Sequence, residues 1–107
     1  MAVAQLDMSH LGEAIGFATV TVSSTALALP TPGASDGVLT NAQAAVVTVE
    51  TQPLRYRVDG GQDPTAASGH LLAVSDAVII SGAANVQRAR FIRTGTDGTV
   101  FVTYYGL

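Results

Sequence analysis

The chain has 107 residues, of which 48% are hydrophobic and only 12% charged, and its formal net charge is −3. This length fits one domain with one core, and all five cations are arginines that form no basic stripe, so the electrostatic footprint of nucleic-acid binding is missing. The absence of cysteine excludes a disulfide framework and a cysteine-ligated metal.

The low charge content also bears on assembly. Most of the surface must be formed by Thr, Ser, Asn, Gln, Gly and small apolar side chains. Exposed apolar area that nothing covers promotes association, so we expect a protein partner or an assembly. No segment reaches the ~20 apolar residues of a membrane span, so no membrane partner is expected.

Residues 1–16 are predicted to form an N-terminal arm. Their apolar residues have a loose helical spacing that two glycines interrupt. A helix this short is marginal in isolation, so the arm should lie against its own domain or a neighbour. The alternative is a terminus without fixed structure, because chain ends are ordered only where something holds them. Residues 17–107 are predicted to form a single domain.

The first half of that domain predicts three strands. From Phe17 the side chains alternate with period two, which indicates a strand. Residues 26–29 form a second short apolar run, which the prolines of residues 30–33 end. Residues 34–41 are predicted to be a loop. Residues 44–51 are the clearest strand because they are rich in β-branched side chains.

The next strand is predicted over residues 54–59. Its apolar and aromatic side chains point one way, and Arg55, Arg57 and Asp59 point the other. Only two residues separate it from the preceding strand, and so short a connection predicts that the two strands are hairpin neighbours. That pairing would bring Glu50 near Arg55.

The second half predicts further strands between glycine-rich turns. Short strands are expected from His70 and over residues 77–81. Residues 86–94 are predicted to run extended, with a bulge near residues 90–92 that lets arginines and apolar residues exchange faces. The last strand, residues 99–105, has apolar or aromatic side chains on both faces. It should therefore be a central strand, or an edge strand that another subunit covers.

Together these elements predict an all-β fold. Seven or eight short strands at intervals of about ten residues, separated by Gly, Pro and Asp turns, are typical of an antiparallel sandwich. The fold class predicted is an antiparallel β-sandwich or jelly roll with an N-terminal arm.

No arrangement of residues indicates catalysis. An active site would have to combine His10 or His70 with an aspartate and a serine, and none of the spacings matches a nucleophile elbow or another catalytic pattern. The two histidines are far apart and do not indicate a metal site. We instead expect His70 to be a hydrogen-bonded residue at a strand start. The chain is expected not to be an enzyme and to use no cofactor and no small-molecule substrate.

The charges near residue 55 allow two interpretations. On a solvated face, cross-strand pairs of opposite charge contribute about 0.2–1 kcal/mol, and exposed ion pairs often less. If another subunit covers the face, the pairs lose water and determine which surface fits. The predicted structural or interface residues are Glu50, Arg55, Tyr56, Arg57, Asp59, Gly60, Pro64, His70, Arg90, Arg93 and Tyr105.

Six short segments carry a family resemblance. They are Val47-Thr48-Val49-Glu50, Pro53-Leu54-Arg55-Tyr56-Arg57 with Asp59-Gly60, Pro64-Thr65-Ala66, Gly69-His70 with Leu72, Phe91-Ile92-Arg93, and Val102-Thr103-Tyr104-Tyr105-Gly106. In this order the chain resembles a group of small structural proteins of tailed-bacteriophage virions, which are similar to capsid decoration or cement proteins. The resemblance implies a compact β-sandwich or jelly-roll subunit attached to a phage particle, without enzymatic activity.

The resemblance leads to a functional expectation and two rivals. We expect a capsid decoration or cement protein on the outer capsid surface of the virion, present in the host cytoplasm during assembly. Its partners would be itself, as a homo-oligomeric dimer or trimer, and the major capsid protein. The first rival is a head-to-tail connector, tail or baseplate subunit. The second is a glycan-binding module that uses Tyr56, Tyr104 or Tyr105 as stacking platforms, although aromatic residues are only 6% of the chain and tryptophan is absent.

Overall fold

The structure is a computed structural model that describes residues 12–29 and 42–106. Within these ranges the chain forms two four-stranded antiparallel sheets and one short helix. The elements are β1 (Glu13–Val22), β2 (Leu27–Ala28), β3 (Ala44–Val49), β4 (Leu54–Arg57), β5 (His70–Leu72), β6 (Ala77–Ser81), α1 (Ala83–Arg88), β7 (Arg90–Arg93) and β8 (Gly98–Gly106). The predicted all-β antiparallel fold is confirmed, while residues 1–11 of the predicted arm and the predicted loop over residues 34–41 lie outside the described residues.

Sheet A contains the long strands in the order β1-β8-β3-β6. The inner face of this sheet is rich in valine: Val47, Val100 and Val102 are fully buried. The central position predicted for the last strand is confirmed, because β8 pairs with β1 on one side and β3 on the other. β1 begins at Glu13, four residues before its predicted start at Phe17, and its register shifts near its beginning.

Sheet B contains the short strands in the order β2-β7-β4-β5. Its inner face is formed by Leu54, Leu72 and Phe91, which are all buried. The Tyr56 ring stacks on Phe91 with centroids 5.8 Å apart. Inner-face residues of both sheets belong to one hydrophobic cluster, so the core lies between the two sheets. Burial of this apolar area is the main favourable term that holds the sheets together.

The predicted hairpin between β3 and β4 is wrong. β3 pairs with β6 and β8 in sheet A, whereas β4 pairs with β5 and β7 in sheet B. The chain crosses between the sheets through residues 50–53, which lets Val49 and Leu54 both point into the same core. Glu50 therefore does not approach Arg55; it accepts a hydrogen bond from the Thr48 hydroxyl at 3.1 Å.

The extended segment predicted over residues 86–94 is also wrong in its first part. Gly82 has φ +100° and redirects the chain into α1, and the buried Val86 anchors that helix on the core. β7 starts only at Arg90 and pairs in continuous register with β2 and β4, so the bulge predicted near residues 90–92 is absent. Side chains therefore have to alternate between the inner and outer face only over the four residues of β7, in which Phe91 points inward.

Candidate functional site

One candidate surface is the outer side of sheet A, which we call the uncharged face. Alternation and register place on it Thr, Ser, aliphatic and aromatic side chains without a formal charge. They are Phe17, Thr19 and Thr21 of β1, Thr99, Phe101, Thr103 and Tyr105 of β8, Ala44, Val46 and Thr48 of β3, and Ala77, Ile79 and Ser81 of β6. Solvated outer faces of antiparallel sheets normally carry polar residues. Here threonine and serine are the only polar aliphatic side chains among these strand residues, and none of them is charged. The carboxylate of Glu50, which follows β3, borders the face and accepts a hydrogen bond from Thr48.

Aromatic rings project from the uncharged face. Phe17 is 58% exposed and Phe101 is 37% exposed, and their ring centroids lie 5.6 Å apart. Beside them, Val46 belongs to a small outer cluster that Ile79 and Tyr105 join. Among the described residues, the exposed large apolar side chains of this face are Phe17 and Phe101, whereas Ala44 and Val46 are themselves buried. The exposed aromatic pair makes the face a candidate interaction surface.

The outer side of sheet B is built differently, because it carries arginines that bind the chain's own loops. Arg55 donates from Nε to the carbonyl oxygen of Ala66 at 3.1 Å and from Nη1 to that of Gly69 at 2.9 Å. The loop that it holds contains Pro64, whose side chain is fully buried. Gly69 has φ +132°, and a Cβ there would lie 3.2 Å from the carbonyl oxygen of Tyr56. Arg55 therefore has a structural role.

A second candidate surface is a concave region that we call the arginine cleft. It lies where the turn after β4 faces α1 and the start of β7, and its volume is about 370 Å³. Its lining is polar or glycine throughout: Arg57, Asp59, Gly60, Gly61, Gln62, Asp63, Gln87, Arg88 and Arg90. The register sets Arg57 directly opposite Arg90 on neighbouring strands, so two cations face each other across the sheet.

Two of the cleft arginines have fixed partners. Arg57 donates two hydrogen bonds to Asp59, from Nε to Oδ1 at 3.1 Å and from Nη2 to Oδ2 at 2.5 Å. This hydrogen-bonded pair raises the pKa of Arg57 and holds the pKa of Asp59 below its usual value. Arg90 donates from Nη1 to the carbonyl oxygens of Gln87 and Ala89, each at 2.9 Å. These contacts fix the guanidinium groups that face the cleft.

The structure gathers some of the sequence-predicted residues and separates others. Four of them line the cleft: Arg57, Asp59, Gly60 and Arg90. Three others are Arg55, Pro64 and His70: Arg55 holds the loop that contains Pro64, and His70 begins the strand that follows this loop. We call the contact of Arg55 with this loop the clamp. The rest lie elsewhere: Tyr56 stacks in the core, Glu50 lies in the crossing between sheets, Arg93 pairs with Asp97 at 2.5 Å, and Tyr105 is on the uncharged face.

Sequence reasoning missed Arg88, Phe17 and Phe101. Arg88 was placed in an extended strand, whereas the helix turns it toward Gly60. The two phenylalanines were assigned to strands but not to a surface. The signal that could have found them is the lack of any charged side chain at alternate positions from Phe17 to Thr21 and along the last strand.

The three tyrosines that a glycan-binding module would use as stacking platforms differ in exposure. Tyr104 is 1% exposed, and burial raises its pKa to about 12. Tyr56 lies between His70 and Phe91, and burial raises its pKa as well. Tyr56 and Tyr105 are each partly exposed, Tyr56 between its two ring neighbours and Tyr105 on the uncharged face. Burial therefore removes Tyr104 from the three predicted platforms.

Within residues 12–29 and 42–106, no cluster of three or more His, Asp or Glu side chains could hold a metal ion. In the same part of the chain, no helix has the length and apolar character needed to cross a membrane. Comparison with protein-family models, with curated proteins and with solved structures gives no match. The two features that bear on function are therefore the uncharged face and the arginine cleft.

Proposed function

We propose that this chain is a structural protein of a bacteriophage virion, and specifically a capsid decoration or cement subunit that bridges neighbouring capsid proteins. The observation that carries the proposal is the uncharged face of sheet A, where Phe17 and Phe101 are exposed among threonines and small apolar residues. The cores of protein interfaces are enriched in aromatic residues and depleted of charge, so this face has the composition of a surface that another protein covers.

We infer further that the two sheets form a jelly-roll β-sandwich. The strand orders β1-β8-β3-β6 and β2-β7-β4-β5 support this, since they divide eight strands between two sheets as the two Greek keys of a jelly roll do. The hydrophobic cluster that both sheets share gives further support. A jelly roll hosts many functions, so the functional proposal depends on the uncharged face and not on the fold.

The proposed partners are a second copy of the chain, in a dimer or trimer, and the major capsid protein on the outer surface of the head. A stable interface buries about 800 Å² on each partner, which requires most of one side of a domain this small. The uncharged face supplies a side of that kind. We assign the chain no catalytic activity, because its His, Asp and Ser residues match no catalytic spacing.

The experiment is binding to expanded capsids that lack the protein. We expect the purified chain to co-sediment with them and to raise their melting temperature. A charge on the uncharged face, Phe101→Glu, should weaken binding by at least about tenfold, because a buried unpaired carboxylate is costly. The matched control is Leu71→Glu, at an exposed apolar residue of sheet B, and it should bind as the wild type does. Failure of the wild type to co-sediment, or equal losses in both variants, would contradict the proposal.

A ring subunit of the connector, tail or baseplate is the second candidate. One observation favours it: β1 is ten residues long and, among the described strands, pairs only with β8. A long strand at a sheet edge can pair with a neighbouring copy and close a ring. Copy number separates the candidates, because a lattice protein is present in hundreds of copies and a ring in about a dozen. Quantitative mass spectrometry of purified virions measures it.

A further inference from the structure

We propose that the arginine cleft is a binding site for a carboxylate group that comes from outside the chain. The cleft is concave, polar throughout and large enough for a small acid or an acidic side chain with its neighbouring atoms. It lies on the sheet B side of the molecule, and none of its lining residues belongs to the uncharged face. The inference does not depend on the proposed virion function.

The charges in the cleft leave one positive charge in excess. Three arginines line it against two aspartates, in a chain whose formal net charge is −3. Asp59 is committed to Arg57 through two hydrogen bonds. The remaining carboxylate, Asp63, also lines the cleft, and its charge acts on Arg57. One added carboxylate makes the cleft neutral, whereas a phosphate dianion would make it negative.

Arg88 is placed to bind a ligand. No hydrogen bond or ion pair joins it to another residue within 12–29 and 42–106. Its aliphatic stem lies against Gly60, where an added Cβ would be only 3.1 Å from Arg88 Cδ. Gly60 has φ +73°, so glycine suits this position for its backbone as well as for the space it leaves. The close contact limits where the guanidinium group can go.

Arg90 offers the second donor group. Its Nη1 is held by the carbonyl oxygens of Gln87 and Ala89, and the hydrogen bonds described for it leave Nε and Nη2 for a ligand. A guanidinium group anchored in this way loses little conformational entropy on binding. The Arg57–Asp59 pair beside it already shows the bidentate geometry that a carboxylate adopts on a guanidinium group.

The test is an NMR titration of the ¹⁵N-labelled protein at neutral pH and constant ionic strength. Sodium acetate is the probe, with sodium chloride and sodium phosphate as comparisons. We expect acetate to produce saturable shifts of the Arg88 and Arg90 Nε–Hε signals, larger than those from chloride and saturating at lower concentration than those from phosphate. Shifts no greater than those from chloride, or tighter binding of phosphate, would overturn the proposal.

Variants and a peptide complete the experiment. Arg88→Gln should weaken acetate binding by at least about tenfold, whereas Arg93→Gln, which lies outside the cleft lining, should leave it unchanged; equal effects would also overturn the proposal. The backbone amide spectrum shows whether each variant is folded. A blocked Gly-Glu-Gly peptide that binds more tightly than acetate, with no binding of Gly-Gln-Gly, identifies an acidic polypeptide as the source. Equal affinity for acetate and the peptide identifies a free small acid.

Discussion

The outer faces of the two sheets differ in chemistry although each sheet has four antiparallel strands. Sheet A exposes Phe17 and Phe101 among uncharged neighbours. Sheet B carries arginines, but their hydrogen bonds are made to the chain itself: Arg55 to a loop, Arg57 to Asp59 and Arg90 to the end of α1. The charged side chains on sheet B therefore stabilise the chain's own structure. The uncharged face of sheet A has no such role within the described part of the chain.

Strand length agrees with this division. Sheet A contains strands of ten and nine residues, β1 and β8, whereas no strand of sheet B is longer than four. Long paired strands hold their own geometry through ladder hydrogen bonds. The short strands of sheet B need their connecting loops to be fixed, which explains why Arg55 binds two carbonyl groups of one loop. The predictions below test this contrast, beginning with the largest expected effect.

Two phenylalanines on opposite sides of the fold give the largest contrast. Phe91→Ala removes a ring that is 1% exposed and stacked on Tyr56, and should lower the free energy of unfolding by about 3–5 kcal/mol. Phe101→Ala should cost only about 1 kcal/mol, because its ring is partly in water. Urea denaturation of both variants measures the difference. Equal losses would mean that the uncharged face acts as core in the isolated chain.

Two glycines test the loop beside sheet B. Gly69→Ala should lower the free energy of unfolding by about 1–3 kcal/mol, because φ is +132° and the new Cβ would press on Pro64 and on the Tyr56 carbonyl oxygen. Gly95→Ala is the matched control, since nothing lies within 4 Å of its added Cβ. Thermal unfolding of both should separate them clearly. A neutral Gly69→Ala would show that the loop is not held in this conformation.

The elements that the sequence predicted correctly are those whose pattern has one physical interpretation. Residues 44–49 are rich in β-branched side chains, which predicts a strand. Residues 99–105 carry apolar or aromatic side chains at both parities, which predicts a central strand. The pairing of β3 with β4 failed because a short connection permits either a hairpin or a crossing between sheets, and both leave Leu54 buried. Only the global packing decides between them.

The sequence indicated which residues belong to the arginine cleft, but not how they are arranged in space. Arg57, Asp59, Gly60 and Arg90 were singled out, and the cleft contains all four. Arg88 was lost because α1 has six residues, which is too short for helical periodicity to show in a sequence that also alternates. The partners of Arg55 are backbone carbonyl groups, and those have no signature in a sequence.

Two neighbouring arginines distinguish internal order from surface charge. Arg55→Met keeps the apolar stem but removes both donors to the loop, and should lower the free energy of unfolding by about 1–2 kcal/mol. Amide hydrogen exchange of residues 66–69 should accelerate. Arg57→Met, which breaks only an exposed ion pair, should leave the stability within measurement error. If both variants behave alike, the clamp assigned to Arg55 is absent.

Two aspartates give the smallest effect and the finest distinction between the regions. Asp76, between β5 and β6, accepts a hydrogen bond from the Ala73 N–H at 2.9 Å, which holds its pKa below the usual 3.8. Asp59 has a lowered pKa chiefly because Arg57 binds it. In both cases the folded pKa lies below the unfolded one, so the stabilisation is present above the unfolded value and is lost as the pH falls through the folded value.

Salt and an arginine substitution test why the pKa of Asp59 is lowered. A guanidinium partner in water is screened by ions. In a carboxyl NMR titration, the pKa of Asp59 should therefore rise toward its usual value between low and high sodium chloride. Arg57→Met should raise the pKa of Asp59 and leave Asp76 unaltered. A salt-independent Asp59 would mean that the backbone of its turn, and not the arginine, holds the carboxylate.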